Sequence, residues 1–408
     1  MKKILMVALD FPPCQSAGVQ RTTKFIQYLP EFGWEPSVLT GQPHIYDQLA
    51  DVWINPAKPV YRAFGLNTLK HLSLKGKHFD GMLKPDRFFS WYWHGVFVGK
   101  AAIREQAPDV IWSTFPCSTA MKIALKLQHK SGLPWVADFR DPFAGVNPYF
   151  NIDNRAGSEI DEAVVRSADM LVFSTHRTAA LYLAAYPFLS DLKVHVITNG
   201  FNEEEFVAAE SRVRTSELDS DRSVNKRYTL LHSGALYSDG RDPRYLFQAI
   251  AELIQEHGVA RQNLSVVFRG AILTPNLKAK LEELKLIDII EFWPAIPFEQ
   301  SIDEMLTADA LLLLQGEQFN NQIPGKAYEY LRSGKPILAL TDKTGATAEL
   351  IDPYEGVYIA GIQYIQEIKE QLLCLINNRG GIRIDRDIEC YSRKSTTGRL
   401  ANLLDELA

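Results

Sequence analysis

The run Asp309-Ala310-Leu311-Leu312-Leu313-Leu314 restricts the fold more than any other stretch of the chain. An apolar block this short, with no polar residue after Asp309, suits a strand covered on both faces, as in a parallel sheet with helices on either side. The residues that follow keep to that plan. Ile337 to Leu340 reads as the next strand, and between the two, Pro324 and Gly325 open a short helix that Gly334 and Pro336 close. Strand, loop, helix and strand place a helix N-terminus at the carboxyl edge of a sheet, with free N–H groups and about half a positive charge. Lys326 and Glu329, three residues apart, share one face of that helix. A cation for phosphate beside an acceptor for sugar hydroxyls meets the needs of a nucleotide-diphosphate ligand. A surface Lys–Glu pair on an ordinary helix is the plainer reading of the spacing alone.

The same rhythm runs through most of the sequence. Strands are expected at 3–9, 36–40, 109–113, 135–137, 170–173 and 194–197, with helices at 19–29, 118–131, 158–168 and 177–186 between them. A polar stretch, 203–227, then reads as a linker, rich in Glu, Ser, Arg and Asp. A second series of strands follows at 228–231, 264–268, 289–292, 309–314, 337–340 and 357–359, with helices such as 244–257 and 362–378. The expected class is α/β: two doubly wound Rossmann-like domains facing a cleft, residues 1–202 and 228–390. With 408 residues, about two or three domains are expected in any case.

Composition removes several classes of function. Acidic residues outnumber basic ones 49 to 44, for a net charge of −5, which gives no support to nucleic-acid binding. Cys14, Cys117, Cys374 and Cys390 lie far apart, with neither a CxxC pair nor metal spacing. Free thiols in a reducing compartment follow. Lys2 and Lys3 precede only six apolar residues, too few for a signal-peptide core. No apolar run approaches the roughly 20 residues of a spanning helix, so a cytoplasmic protein is expected.

Residues 43–100 break the rhythm and read as an insertion. They carry Lys70, His71, Lys75, Lys77, His78, Lys84 and Arg87, then Phe88-Phe89-Ser90-Trp91-Tyr92-Trp93. Basic residues beside aromatics suit the surface of a membrane, so 70–93 is a candidate for peripheral contact at its inner face. Aromatics packed onto the domain, with the lysines solvated, is the competing reading.

Four loops hold further candidates. In the first, Gly18 stands alone near a helix start and no GxGxxG is present, which disfavours a dinucleotide-binding dehydrogenase. Gly18 could admit an acceptor or phosphate, and Arg21 could point the same way; a tight turn and a solvated Arg explain them equally well. In the second, Asp138-Phe139-Arg140-Asp141 ends a strand at the edge where α/β enzymes keep working groups. Asp138 or Asp141 would orient a hydroxyl or take its proton, with Arg140 holding an anion, unless the three merely fix the loop as ion pairs. In the third, Asn199-Gly200 breaks a strand and suits a turn with φ > 0, with Asn199 as a hydrogen-bonding group. In the fourth, Gly234 permits close backbone approach and Arg241 can grip a diphosphate by parallel hydrogen bonds, or is simply a surface Arg. Asp219-Ser220-Asp221 matches a metal–nucleotide DxD only by chance, since no strand precedes it, and no other metal cluster is visible.

With these residues in place, the chain resembles retaining glycosyltransferases of the GT-B fold, in the glycosyltransferase family 4 group. The resemblance spans nearly the whole chain. Its most specific parts are Ile197-Thr198-Asn199-Gly200-Phe201-Asn202, similar to an "IPNGFD" element, and Ile323-Pro324-Gly325-Lys326-Ala327-Tyr328-Glu329-Tyr330-Leu331 with Ser333-Gly334-Lys335-Pro336 behind it. The loop ending in Gly18-Val19-Gln20-Arg21 is similar to the acceptor-side glycine loop, and 391–408 resembles the final helix that crosses back to the first domain. The resemblance implies that Glu329 binds the donor's ribose, that Arg241 and Lys326 neutralise the diphosphate without metal or cofactor, and that configuration is retained. One position departs from it: where the E-x7-E element of that group has its first Glu, this chain has Asn321.

The expected function is therefore hexosyl transfer from a nucleotide-sugar to a hydroxyl of a saccharide or lipid-linked saccharide, in surface-polysaccharide assembly. Two alternatives remain: a nucleotide-sugar epimerase on the same fold, and a non-catalytic nucleotide-sugar binder, the latter suggested by Asn321.

Overall fold

A computed structural model describes the chain except for residues 17, 51–58, 74–76, 78, 144–145, 147–154, 220–226, 237–239, 258–263 and 379–383. Lys75 and His78 of the basic stretch, and Ser220 and Asp221 of the DxD match, lie outside the described residues.

Two parallel sheets organise it. The first contains β1 (Lys2–Val7), β2 (Trp34–Gly41), β3 (Val60–Ala63), β4 (Val110–Phe115), β5 (Trp135–Phe139), β6 (Met170–Phe173) and β7 (Val194–Val196). The second contains β8 (Tyr228–Ser233), β9 (Leu264–Arg269), β10 (Ile290–Trp293), β11 (Ala310–Gln315), β12 (Ile337–Thr341) and β13 (Val357–Ala360). Their orders, β3-β2-β1-β4-β5-β6-β7 and β10-β9-β8-β11-β12-β13, both run outward in two directions from the first strand. This is the doubly wound plan of a Rossmann-like domain, occurring twice. The leucine block shows why such strands are apolar throughout. In β11, Leu312 and Leu314 enter the core on one face of the sheet, while Leu311 and Leu313 enter the core on the other.

The chain divides into two compact units. One comprises Met1–Thr198 with Arg393–Ala408, the other Asn199–Ser392. In the first unit, helix Arg393–Leu407 lays Leu400, Ala401 and Leu404 on the same core as Phe25 and Ile26 of helix Val19–Tyr28. Asp405 fixes it further by accepting from Lys2 Nζ and Trp34 Nε1, each at 3.1 Å.

Two expectations need correction. The polar stretch read as a linker begins instead as helix Glu203–Asp219. Phe206 and Ala209 anchor it in the second unit's core, and Arg332 binds both Glu203 and Glu210. The acidic residues that suggested a linker are partners for a half-buried arginine. Residues 43–100 are likewise not an insertion. They supply edge strand β3 and the 16-residue helix Trp91–Gln106, which leads into β4. Gly95 and Gly99 hide this helix from a reading of propensity, yet they are what lets it pack. A Cβ at either would sit 2.5 or 2.6 Å from Ile123 or Leu127 of helix Ser118–Ser131.

Of the strand-end charges of the first unit, Asp138 lies at the end of β5 but is closed off in an ion pair. Arg21 and Asp138 are 2% and 0% exposed and pair with each other, at 2.6 and 2.9 Å. Thr114 donates to the same carboxylate at 2.9 Å, and Arg21 donates to the carbonyls of Ile197 and Thr198. Burial leaves neither residue open to a ligand. Together they tie the first helix to three strand ends. Removing one partner strands the other charge in the core, so Asp138→Ala is expected to lose about 3–5 kcal/mol in urea denaturation. Replacing both, as Arg21→Met with Asp138→Leu, should recover much of that loss.

Candidate anion site at the centre of the second sheet

Sheet centre strands β8 and β11 carry their helices in opposite directions, so a crevice opens between their carboxyl ends. Their pairing covers only Leu230↔Ala310 and Leu231↔Leu311. At the next position the fully buried His232 turns its ring into the gap, with Nδ1 2.9 Å from the Leu312 carbonyl oxygen. A carbonyl only accepts, so in this hydrogen bond Nδ1 is the donor. Burial, then the charge of Lys326, holds this imidazole well below its ordinary pKa and keeps it neutral.

Lys326 stands above it, with Nζ 3.4 Å from His232 Nε2. It comes from helix Gly325–Ser333, whose N-cap, Pro324, has no side chain to bind the first amides. Gly234 closes the other side. Its φ of +123° requires glycine, and a Cβ there would push Lys326 Nζ, 2.8 Å away, out of its place. Arg241 reaches the end of β11, where Nη2 donates to Gln315 Oε1 at 3.4 Å. Glu329 lies about one turn along the helix from Lys326, while Tyr330 accepts the Ser233 amide at 3.0 Å. The structure thus brings Gly234, Arg241, Pro324, Gly325, Lys326 and Glu329 to one crevice.

The electrostatics favour an anion. Burial, and then the neighbouring Arg241, lower the Lys326 pKa to about 7, against the opposing pull of Glu329. Two cations repelling each other over a neutral imidazole gain most from a ligand with two negative charges. His232 escaped the sequence reading, although its position at the end of an apolar strand was a usable signal.

The first unit's candidates are arranged differently. Arg140 pairs with Asp10 at 2.5 Å and donates to the Phe115 carbonyl at 2.8 Å. A Cβ on Gly18 would overlap both the Arg140 guanidinium and the Asp10 carboxylate. The space expected to admit a ligand at Gly18 is filled by this pair. Asp10 lies in the loop just beyond β1, and the rule that strand ends hold working groups points to it as well. Asp141 is partly exposed and Asn199 half-buried. Gly200 does not take a positive φ; it is glycine because the Tyr391 carbonyl lies where a Cβ would be. Among the described residues, no group of three or more His, Cys, Asp or Glu could hold a metal, and no helix is long and apolar enough to cross a membrane.

No protein-family model matches the chain, and no curated protein does. Solved structures do, over their whole length. Sucrose-phosphate synthase from Thermosynechococcus elongatus aligns at TM-score 0.67 and 12% identity, over 99% of this chain and 95% of that one. The lipopolysaccharide outer core galactosyltransferase WaaB aligns at 0.63 and 15%, covering 99% of both. Anabaena HepE in complex with UDP-glucose aligns at 0.61 and 14%, over 100% and 97%. A putative UDP-N-acetylglucosamine 2-epimerase from Listeria monocytogenes is also among the matches. The fold is the GT-B fold of these glycosyltransferases.

The low pKa of Lys326 gives the site a pH signature. Between about 7 and the ordinary 10.5 the amine is largely neutral, and a bound anion restores its charge. Binding of a nucleoside diphosphate such as UDP, whose phosphates are already ionised at about pH 8, should therefore take up close to one proton there and weaken as pH rises. Calorimetry in buffers of different ionisation enthalpy measures this, and Lys326→Met should abolish the uptake.

Proposed function

We propose that the protein transfers a hexosyl group from a nucleotide-diphosphate sugar to a hydroxyl of a saccharide or lipid-linked saccharide, in surface-polysaccharide assembly. The observation that carries this reading is the convergence of Lys326 and Arg241 beside Gly234, one turn from Glu329, at the switch point of a doubly wound sheet. A neighbour of the same fold, solved with UDP-glucose, supports the choice of ligand.

Breaking the sugar–diphosphate bond places negative charge on the leaving oxygen. Lys326 and Arg241 stabilise that charge, each contributing about 2.7–4 kcal/mol if it behaves as a preorganised donor. Glu329 accepts from the ribose hydroxyls. In this reading the side chains, rather than a metal or cofactor, offset the diphosphate. The acceptor is assigned to the loop after β5 in the first unit, with Asp141 and Arg140, since Asp138 is buried against Arg21. Retention of configuration rests on the resemblance of the Pro324–Leu331 segment, and Asn321 leaves donor-sugar choice to residues outside that element.

UDP-, GDP-, ADP- and dTDP-sugars identify the base in a thermal-shift screen. The right one, at about a hundred times its Kd, should stabilise the protein by about 2.7 kcal/mol. Glu329→Ala should lose most of that stabilisation. If no nucleotide-sugar shifts the wild type, or the variant shifts equally, the site is misassigned. The UDP-N-acetylglucosamine 2-epimerases among the structural matches favour a second reading. Incubation with the nucleotide-sugar alone separates them: an epimer formed without acceptor supports the epimerase. Binding without nucleotide release under any acceptor would leave only a sensor.

A further inference from the structure

Among the exposed large apolar side chains of the first unit, four are aromatic rings within residues 64–97. Phe64, Phe79, Trp93 and Phe97 are 48%, 78%, 64% and 67% exposed, far beyond the ordinary scatter of single surface apolar residues. Three of them join into one strip. Trp93 and Phe97 are one turn apart on helix Trp91–Gln106, with the exposed Lys100 next along the same face. His94 stacks on Phe97 at 6.0 Å, and its Nδ1 accepts the Phe64 amide at 2.6 Å. The Phe64 ring lies 5.2 Å from His44, which meets His71 beside the exposed Lys70. The helix cannot bury this face, because its other face, with Gly95 and Gly99, is already pressed onto helix Ser118–Ser131. By contrast, Trp91 is fully buried, and Phe88 and Tyr92 pack on the core. The exposed strip thus runs from Phe64 to Lys100 and shares Lys70 and Trp93 with the stretch 70–93.

Charge selects the partner. Residues 64–100 hold six Lys and Arg against two Asp, in a chain whose net charge is −5. Asp86 accepts the Thr119 amide and hydroxyl at a helix start, and the nearby Asp47 is paired with Arg87 at 2.6 Å. Lysines are depleted at protein–protein interfaces. Lysines around exposed Trp and Phe match the border of a bilayer, where rings sit at headgroup level and cations meet anionic lipid.

We propose that the strip from Phe64 to Lys100 seats the first unit on an anionic membrane surface, with Trp93 and Phe97 entering the headgroup layer and Lys70 and Lys100 against the lipid charges. This surface is independent of the transfer reaction proposed above.

Flotation with phosphatidylcholine vesicles, with and without phosphatidylglycerol, tests it. Wild type should float with the anionic vesicles and far less with the neutral ones, and salt should release it. Each lysine near the surface strengthens binding roughly fivefold, so Lys70→Glu with Lys100→Glu should cut partition at least about tenfold. Trp93→Ser with Phe97→Ser should cut it comparably, while thermal unfolding stays near that of wild type because both side chains are exposed. Wild type left in the soluble fraction with anionic vesicles would overturn the proposal, as would flotation indifferent to both double variants. A change in solution mass caused by Trp93→Ser with Phe97→Ser, without vesicle binding, would make the strip a protein interface instead.

Discussion

Both units answer to one topological constraint. A doubly wound sheet grows outward from its first strand in two directions, so the connections leaving its two central strands part company. No helix can cover the crevice this leaves, and polar groups must line it. The first unit meets the constraint by pairing opposite charges: Asp10 with Arg140 in the crevice, and Arg21 with Asp138 nearby. The second unit gathers like charges, with Lys326 and Arg241 over a neutral His232. One crevice is electrostatically complete without a ligand. The other keeps two cations close together, and the function proposed above would supply the anion that offsets them.

That contrast also separates groups built for stability from groups built for binding. A buried Arg–Asp pair with every oxygen filled contributes little net free energy over apolar residues, but it is costly to break. Lys326 pays a standing penalty for burial beside another cation, and nothing in the packing of its helix requires an amine there. Strain of this kind in an otherwise consistent fold is a mark of a binding site.

Much of this architecture was legible in the sequence, because parallel strands buried on both faces leave short apolar blocks that no other element imitates. Leu311 to Leu314 and Met170 to Phe173 are such blocks. The helix that begins at Gly325 was legible as well, since its limits are written in Pro324 and Gly334. Helix Trp91–Gln106 was not, because its interior glycines answer to helix Ser118–Ser131, which only the fold lays against it. The roles of Gly18 and Gly200 were hidden for the same reason: what fills the space beside each comes from residues 10, 140 and 391. Charged residues were the least legible. Asp138 and Asp141 look alike in sequence, and only the arrival of Arg21 from another element buries the first.

An amine held near neutrality at physiological pH is a nucleophile as well as a hydrogen-bond donor. Before an anion binds, Lys326 has the lone pair that ordinary surface lysines lack, so mild electrophiles have a preferred target in this chain. Under the function proposed above, a bound diphosphate would restore its proton and remove that reactivity along with access. The ligand would then also be the amine's protecting group.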